Sequence, residues 1–236
     1  DIPNTQVTSL AINQRTVWAG TISGVSTYAD SVWKYLPDMS VLPNTFVNSI
    51  AGMPDYSLWF GTRGGVSRKT LAGSWSSFSM TNGLTDNNVT SIASDAVGKI
   101  WVGTNYGVNI YDGARWSSII NSLPSIAVRA IFRDSSGTMW VGTDNGIASF
   151  YGDSVTLWNT SKGLPSNSIN KFAEDSNHLL WVATDTGAAC FTGAGWSQLQ
   201  FPDAVNGLPV NTLVSDSKTL SLWFGTNLGL VRYQVK

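Results

Sequence analysis

The chain is short of charge. Of its 236 residues 14 are Lys or Arg and 15 are Asp or Glu, which leaves a net charge of -1. No run of basic residues occurs, so nothing supplies the electrostatic footprint that a phosphate backbone demands, and nucleic acid is not expected as a partner. Long apolar runs are missing too: none approaches the roughly 18 residues that cross a bilayer, so no membrane insertion is expected. No signal peptide is recognisable. The single cysteine, Cys190, cannot close an internal disulfide, and its setting in Ala188-Ala189-Cys190-Phe191 reads as that of a buried core thiol. The single histidine, His178, falls in the turn Asp175-Ser176-Asn177-His178. No Ser-His-Asp set, metal-ligand cluster or phosphate-cradling glycine loop can be assembled around it. The inventory points away from an enzyme and away from any cofactor.

What the chain has in quantity is core material, with 42% hydrophobic residues and 11 tryptophans. Ser, Thr, Asn and Gly build a polar surface of extracellular character. Asp1 opens the chain without Met, which suits a processed secreted protein and an excised domain equally. The tryptophans recur in a fixed phrase. It reads Ile100-Trp101-Val102-Gly103-Thr104 with Gly107-Val108, and returns around Trp18, Trp59, Trp140, Trp181 and Trp223. From Trp18 to Trp223 the successive spacings are 41, 42, 39, 41 and 42 residues. A period near 40 residues made of short strands is the signature of a propeller blade.

Each copy reads as four strands. In the third, Asn88–Ala93 alternates as an inner strand, Asp95-Ala96-Val97-Gly98 makes a turn, and Lys99–Gly103 and Gly107–Tyr111 follow. A fourth strand carries Trp116, and equivalent outer tryptophans are expected at Trp33, Trp75, Trp158 and Trp196. Asp95, Asp134, Asp175 and Asp216 recur at one turn position and are expected to cap it. A second phrase, Gly163-Leu164-Pro165-Ser166-Asn167, echoed at Gly83-Leu84 and Gly207-Leu208-Pro209, leads from one copy to the next. The opening Ile2-Pro3-Asn4-Thr5 matches Leu42-Pro43-Asn44-Thr45, so the chain starts on a repeat boundary.

These features predict an all-β fold: a single β-propeller of about six blades over residues 1–236, four strands per blade. The expected blades are 1–42, 43–85, 86–124, 125–165, 166–208 and 209–236. The sixth copy ends at Lys236 after its third strand, with no residues ahead of the first copy to replace the fourth. The last blade is therefore expected to be three-stranded, with Leu230, Val231, Arg232, Tyr233, Gln234 and Val235 as an open edge.

The combined pattern of Gly-Leu-Pro-x-Asn, an alternating strand, Asp-x-x-Gly and Leu/Ile-Trp-Val-Gly-Thr-x-x-Gly-Val resembles the two-component regulator propeller repeat. Asp134-Ser135-Ser136-Gly137-Thr138-Met139-Trp140-Val141-Gly142-Thr143-Asp144-Asn145-Gly146-Ile147 carries it most fully. The resemblance implies a β-propeller of the kind found in extracellular or periplasmic sensor parts of bacterial hybrid histidine kinases that detect glycans.

Candidate binding residues lie between the Thr and Gly of the repeated turn. They are Arg63, Asn105, Tyr106, Asp144, Asn145, Asp185 and Asn227, expected on the face that also carries the inter-repeat loops. Planar amides, carboxylates, a guanidinium and an aromatic face suit a glycan or a peptide. The same side chains also suit plain solvation of loop tips. Asp144 and Asp185, in adjacent blades, offer a conceivable carboxylate pair of glycosidase type, or oxygens for Ca²⁺, with no third group identifiable. Two functions follow as expectations: extracellular recognition of a glycan or peptide, or assembly with further copies through the incomplete last blade.

Overall fold

The computed structural model describes residues 2, 4–201 and 206–235. Pro3 of the opening phrase and the final Lys236 lie outside them, as do residues 1 and 202–205. The described chain forms 23 strands in six antiparallel sheets, and its fold is a six-bladed β-propeller whose last blade has three strands.

Residues 1–120 form one compact unit and residues 121–236 a second. In the first, blade 1 comprises β1 (Val7–Asn13), β2 (Thr16–Thr21), β3 (Gly24–Ala29) and β4 (Val32–Tyr35). Blade 2 comprises β5 (Val47–Gly52), β6 (Leu58–Thr62), β7 (Gly65–Lys69) and β8 (Trp75–Phe78), and blade 3 β9 (Val89–Ser94), β10 (Ile100–Thr104), β11 (Gly107–Tyr111) and β12 (Trp116–Ile119). In the second unit, blade 4 comprises β13 (Val128–Arg133), β14 (Met139–Thr143), β15 (Gly146–Tyr151) and β16 (Ser154–Trp158). Blade 5 comprises β17 (Ile169–Glu174), β18 (Leu180–Thr184), β19 (Gly187–Phe191) and β20 (Trp196–Gln198), and blade 6 β21 (Val210–Asp216), β22 (Ser221–Thr226) and β23 (Gly229–Gln234).

An isolated four-stranded sheet buries too little apolar area to offset its conformational entropy, so the cores lie between blades. Within the first unit the tryptophan face of blade 1 (Trp18, Val25) packs on Ile50, Leu58 and Phe60 of blade 2. Trp59 and Val66 of blade 2 then pack on Ile92, Ile100 and Val102 of blade 3. The second unit repeats the scheme, Trp140 and Ile147 meeting Phe172 and Val182, and Trp181 and Ala188 meeting Leu213 and Phe224. The repeated phrase needs its first glycine for this contact: a Cβ on Gly61 would come within 2.5 Å of Val89 Cγ1 in the next blade. Its second glycine serves the turn, for Gly65 holds φ at 128° and a Cβ there would meet the Phe78 carbonyl.

The recurring aspartates cap their turns and also hold the tryptophans. Asp175 Oδ1 accepts the backbone N–H of Asn177 (2.8 Å) and Leu179 (3.0 Å), while Oδ2 accepts Trp181 Nε1–H at 2.8 Å. Asp95 and Asp134 bind Trp101 and Trp140 likewise. Asp216 instead accepts the Thr219 hydroxyl.

Two expectations need correction. Trp158 is not the equivalent of Trp116: it pairs with Ile147, the register position of Phe78 and Ile119 in their blades. The place opposite Phe150, where the other blades put their outer tryptophan, holds Val155. Cys190 is half-buried at the edge of the blade 5 and 6 core instead of fully enclosed, and burial pushes its thiol pKa up.

Every blade also carries one residue too many at the start of its first strand. The ladder skips at Thr8, Asn48, Thr90, Arg129, Asn170 and Asn211, each a β-bulge. Three of these side chains reach the first-strand carbonyl of the following blade. Asn48 Nδ2 donates to Val89 O at 2.7 Å, Asn170 Nδ2 to Val210 O at 2.9 Å, and Thr8 Oγ1 to Val47 O.

Candidate functional site

The turn between the second and third strands is built identically in all six blades. The threonine that ends the second strand donates its hydroxyl to the carbonyl of the glycine three residues on, at 2.8 to 3.0 Å. The same oxygen accepts the backbone N–H two residues ahead. The turn is thus closed by Thr, Gly and one backbone N–H, and the side chains of the two residues between them take no part in closing it. Inter-repeat connections lie against these turns: Thr85 donates to Tyr106 O at 2.7 Å, Thr186 to Pro165 O at 2.9 Å, and Gly146 N to Asn167 O at 2.7 Å.

In the first unit the three candidate residues behave differently. Tyr106 is half exposed, and neither its side chain nor that of Asn105 makes a hydrogen bond among the described residues. Arg63 is spoken for: its guanidinium lies 3.6 Å from the centroid of the Phe46 ring, a cation–π contact that anchors it over the preceding connection.

In the second unit Asp144 is exposed and makes no side-chain hydrogen bond among the described residues. Asn145 accepts a long contact from Asn167 Nδ2, at 3.4 Å, and Asn227 accepts from the bulge residue Asn211 at 2.7 Å. Asp185 is the most heavily engaged. Asn170 Nδ2 donates to its Oδ1 at 2.9 Å, and Arg129 Nη1 stands 3.6 Å from its Oδ2 and also donates to Ser168 Oγ. Burial raises the Asp185 pKa, but bonds from Ser168 and Asn170 and the charge of Arg129 outweigh it and hold the carboxyl below its ordinary value.

Arg129, Ser168 and Asn170 were not among the residues expected at this site. A signal for two of them existed: in each copy a polar residue follows the β-branched residue that opens the inner strand, as in Val47-Asn48, Val128-Arg129 and Ile169-Asn170. Among the described residues no group of three or more His, Cys, Asp or Glu side chains is placed to share a metal ion. Among the described residues no helix is long and apolar enough to cross a membrane.

The sequence profile described as the two component regulator propeller matches residues 83–106, 122–145 and 163–186. No curated protein matches the chain. Among solved structures, it is similar to the extracellular domain assigned to the hybrid two component system BT3049 of B. thetaiotaomicron, at 21% identity and a TM-score of 0.69. That alignment covers 98% of this chain and 39% of the other, so the chain spans well under half of that relative's length. It is also similar to PorZ, a surface component of the type-IX secretion system of Porphyromonas gingivalis (16% identity, 96% of this chain, 38% of that one, TM-score 0.73). A third likeness is to a catalytically inactive His-to-Ala variant of virginiamycin B lyase from Staphylococcus aureus (15% identity, 99% and 86%, TM-score 0.75). At these identities the likeness is one of fold. The profile thus identifies two component regulator propeller repeats at these three stretches, and the same phrase recurs in the copies around Trp18, Trp59 and Trp223.

Proposed function

We propose that this chain is a non-enzymatic, extracellular recognition module that holds a glycan or a peptide on the side chains carried by its Thr-x-x-Gly turns. One observation carries the reading: no side chain between Thr and Gly is needed to close the turn, so those of Asn105 and Tyr106 in the first unit, and separately that of Asp144 in the second, are displayed without a structural duty. A fixed frame presenting side chains that can vary is the arrangement binding loops use. The extracellular placement is supported by the fold shared with the B. thetaiotaomicron domain and with PorZ, which is described as a surface component. The non-enzymatic reading is supported by the histidine inventory. The lyase variant described as catalytically inactive has lost a histidine, whereas His178, the only histidine of this chain, sits at the opposite strand ends with Glu174 at 3.7 Å.

The test is a glycan and peptide array probed with the intact chain, followed by titration of each hit. Tyr106→Ala is expected to weaken a hit held by the first unit about tenfold, and Asp144→Ala a hit held by the second, the scale of one lost aromatic or charged contact. Unchanged affinity for every hit in both variants refutes the site.

A second reading, assembly through further copies, is favoured by a different observation. Leu10 of blade 1 occupies the register position of Ile50, yet it is 64% exposed where Ile50 is 7%. Leu230 of blade 6 occupies that of Val66, yet it is 72% exposed where Val66 is fully buried. These faces are the two halves of the interface that each unit repeats internally, and among the described residues β23 is paired on one side only. Two copies meeting through them, or through the edge Leu230–Val235, would form a head-to-tail contact. Light scattering over a concentration series checks it: growth in mass, abolished by Leu10→Asp, is expected, and a constant 25.3 kDa rules it out.

A further inference from the structure

The ends of the strands opposite the Thr-x-x-Gly turns hold a cavity that the proposed recognition surface does not use. It opens in the first unit between blades 2 and 3, with a volume of about 200 Å³. Met53, Trp59, Ile100 and Tyr111 supply its apolar lining, and the ion pair of Arg68 and Asp55 its charge.

The arginine is incompletely satisfied. Its Nη2 stands 3.2 Å from Asp55 Oδ2, and its guanidinium lies 5.6 Å from the Trp59 ring centroid. Its Nε is buried and makes no hydrogen bond among the described residues. The last blade shows what the same register position does when its neighbour is available. Arg232, which pairs with Trp223 as Arg68 pairs with Trp59, donates its Nε to Ser221 Oγ at 2.9 Å. In blade 2 the corresponding hydroxyl, Ser57 Oγ, donates to Asp55 Oδ1 at 2.6 Å and accepts Trp59 Nε1–H at 3.2 Å. Ser57 Oγ thus accepts from the Trp59 indole and makes no bond with Arg68 Nε.

We propose that this cavity is a binding site for a small neutral aromatic molecule bearing one carbonyl oxygen, the ring lying among Met53, Trp59, Ile100 and Tyr111 and the oxygen accepting from Arg68 Nε. An oxygen there removes the penalty of a buried unmet donor, which gives the site its preference for an acceptor. The charge of Arg68 is already balanced by Asp55, and Asp112 stands at the rim, so a carboxylate would meet two negative groups. A ligand without an acceptor would leave Nε as it is.

Three probes of nearly equal shape separate these outcomes: benzamide, benzoate and toluene. Each is titrated into the intact chain while the indole N–H of Trp59 and the Nε–H of Arg68 are followed by NMR. Benzamide is expected to shift both signals and to bind about tenfold more tightly than either toluene or benzoate. Arg68→Lys keeps a cation beside Asp55 but has no Nε, and in a variant with an unchanged melting curve benzamide should fall to the level of toluene. The probe order in the unaltered protein stands as a test even if that variant misfolds. Equal binding of benzamide and toluene, tightest binding of benzoate, or no response of Trp59 to any probe overturns the proposal.

Discussion

Asp175 offers the sharpest test of how the repeat holds itself together. It is buried and accepts three hydrogen bonds, two from backbone N–H groups of its turn and one from Trp181 Nε1 at 2.8 Å. In Asp175→Ala the exposed Asn177 amide turns to water at little loss, the half-buried Leu179 amide loses about 1 kcal/mol, and the buried indole N–H is left unmet at about 2 kcal/mol. The sum is about 3 kcal/mol, which with a urea slope of about 2 kcal/mol/M moves the unfolding midpoint by about 1.5 M. Asp175→Asn is the more telling change. Its remaining oxygen can still cap the turn, but an N–H₂ group then faces the indole N–H, so about 2 kcal/mol of the loss should persist. Unfolding in urea, followed by tryptophan fluorescence and by the indole resonance of Trp181, gives both numbers. The control is Asp216→Ala, at the same repeat position but only half-buried and bound to Thr219 instead of a tryptophan, where a clearly smaller shift is expected. Equal midpoints for Asp175→Ala and Asp216→Ala, or a neutral Asp175→Asn, would refute the claim that the aspartate–indole bond secures the blade.

Other perturbations follow from the same contacts. The Asp185 carboxyl is held below its ordinary value of 3.8, so its contribution to stability is present above that value and lost as pH falls through the lower folded one. Asp185→Asn should therefore flatten the acid limb of a stability-against-pH curve, and an unaltered limb below about pH 4 counts against the Arg129–Asp185 network. Gly61→Ala pushes a methyl into Val89 and should destabilise by about 1–3 kcal/mol in urea, whereas Ala183, at the same phrase position in blade 5, already carries that methyl and should tolerate Gly with a smaller loss. Trp158→Ala, which empties a buried site and removes the indole bond to Ser149, should lower stability by about 3–5 kcal/mol, while the exposed Val155→Ala should scarcely register in the same assay.

The strands, their order and the open last blade were legible because each blade repeats one phrase, and a phrase seen six times averages away local ambiguity. Spacing alone misplaced Trp158. An outer tryptophan 18 residues after Trp140 was grouped with others 15 or 16 residues after theirs, and only the hairpin register, with Val155 opposite Phe150, separates them. The candidate turn residues lie between Thr and Gly as the phrase places them, but their contacts were not legible. Whether Arg63 stacks on Phe46 or Asp185 binds Asn170 depends on contacts made across the fold, and nothing in a turn pentapeptide reports them. The cavity beside Arg68 was invisible for a related reason. The unmet Nε of Arg68 shows only in the contacts: Ser57 Oγ accepts from Trp59, whereas Ser221 Oγ accepts from Arg232.

The bulge at the head of each inner strand bears on how such a chain can lengthen or shorten. Asn48 and Asn170 grip the following blade by a main-chain carbonyl, a group that every amino acid brings with it. The newcomer at such a joint needs no matching side chain, only a strand in the right place. A gene segment encoding one blade can accordingly be copied or removed between repeats, and the hand left reaching out will find something to hold.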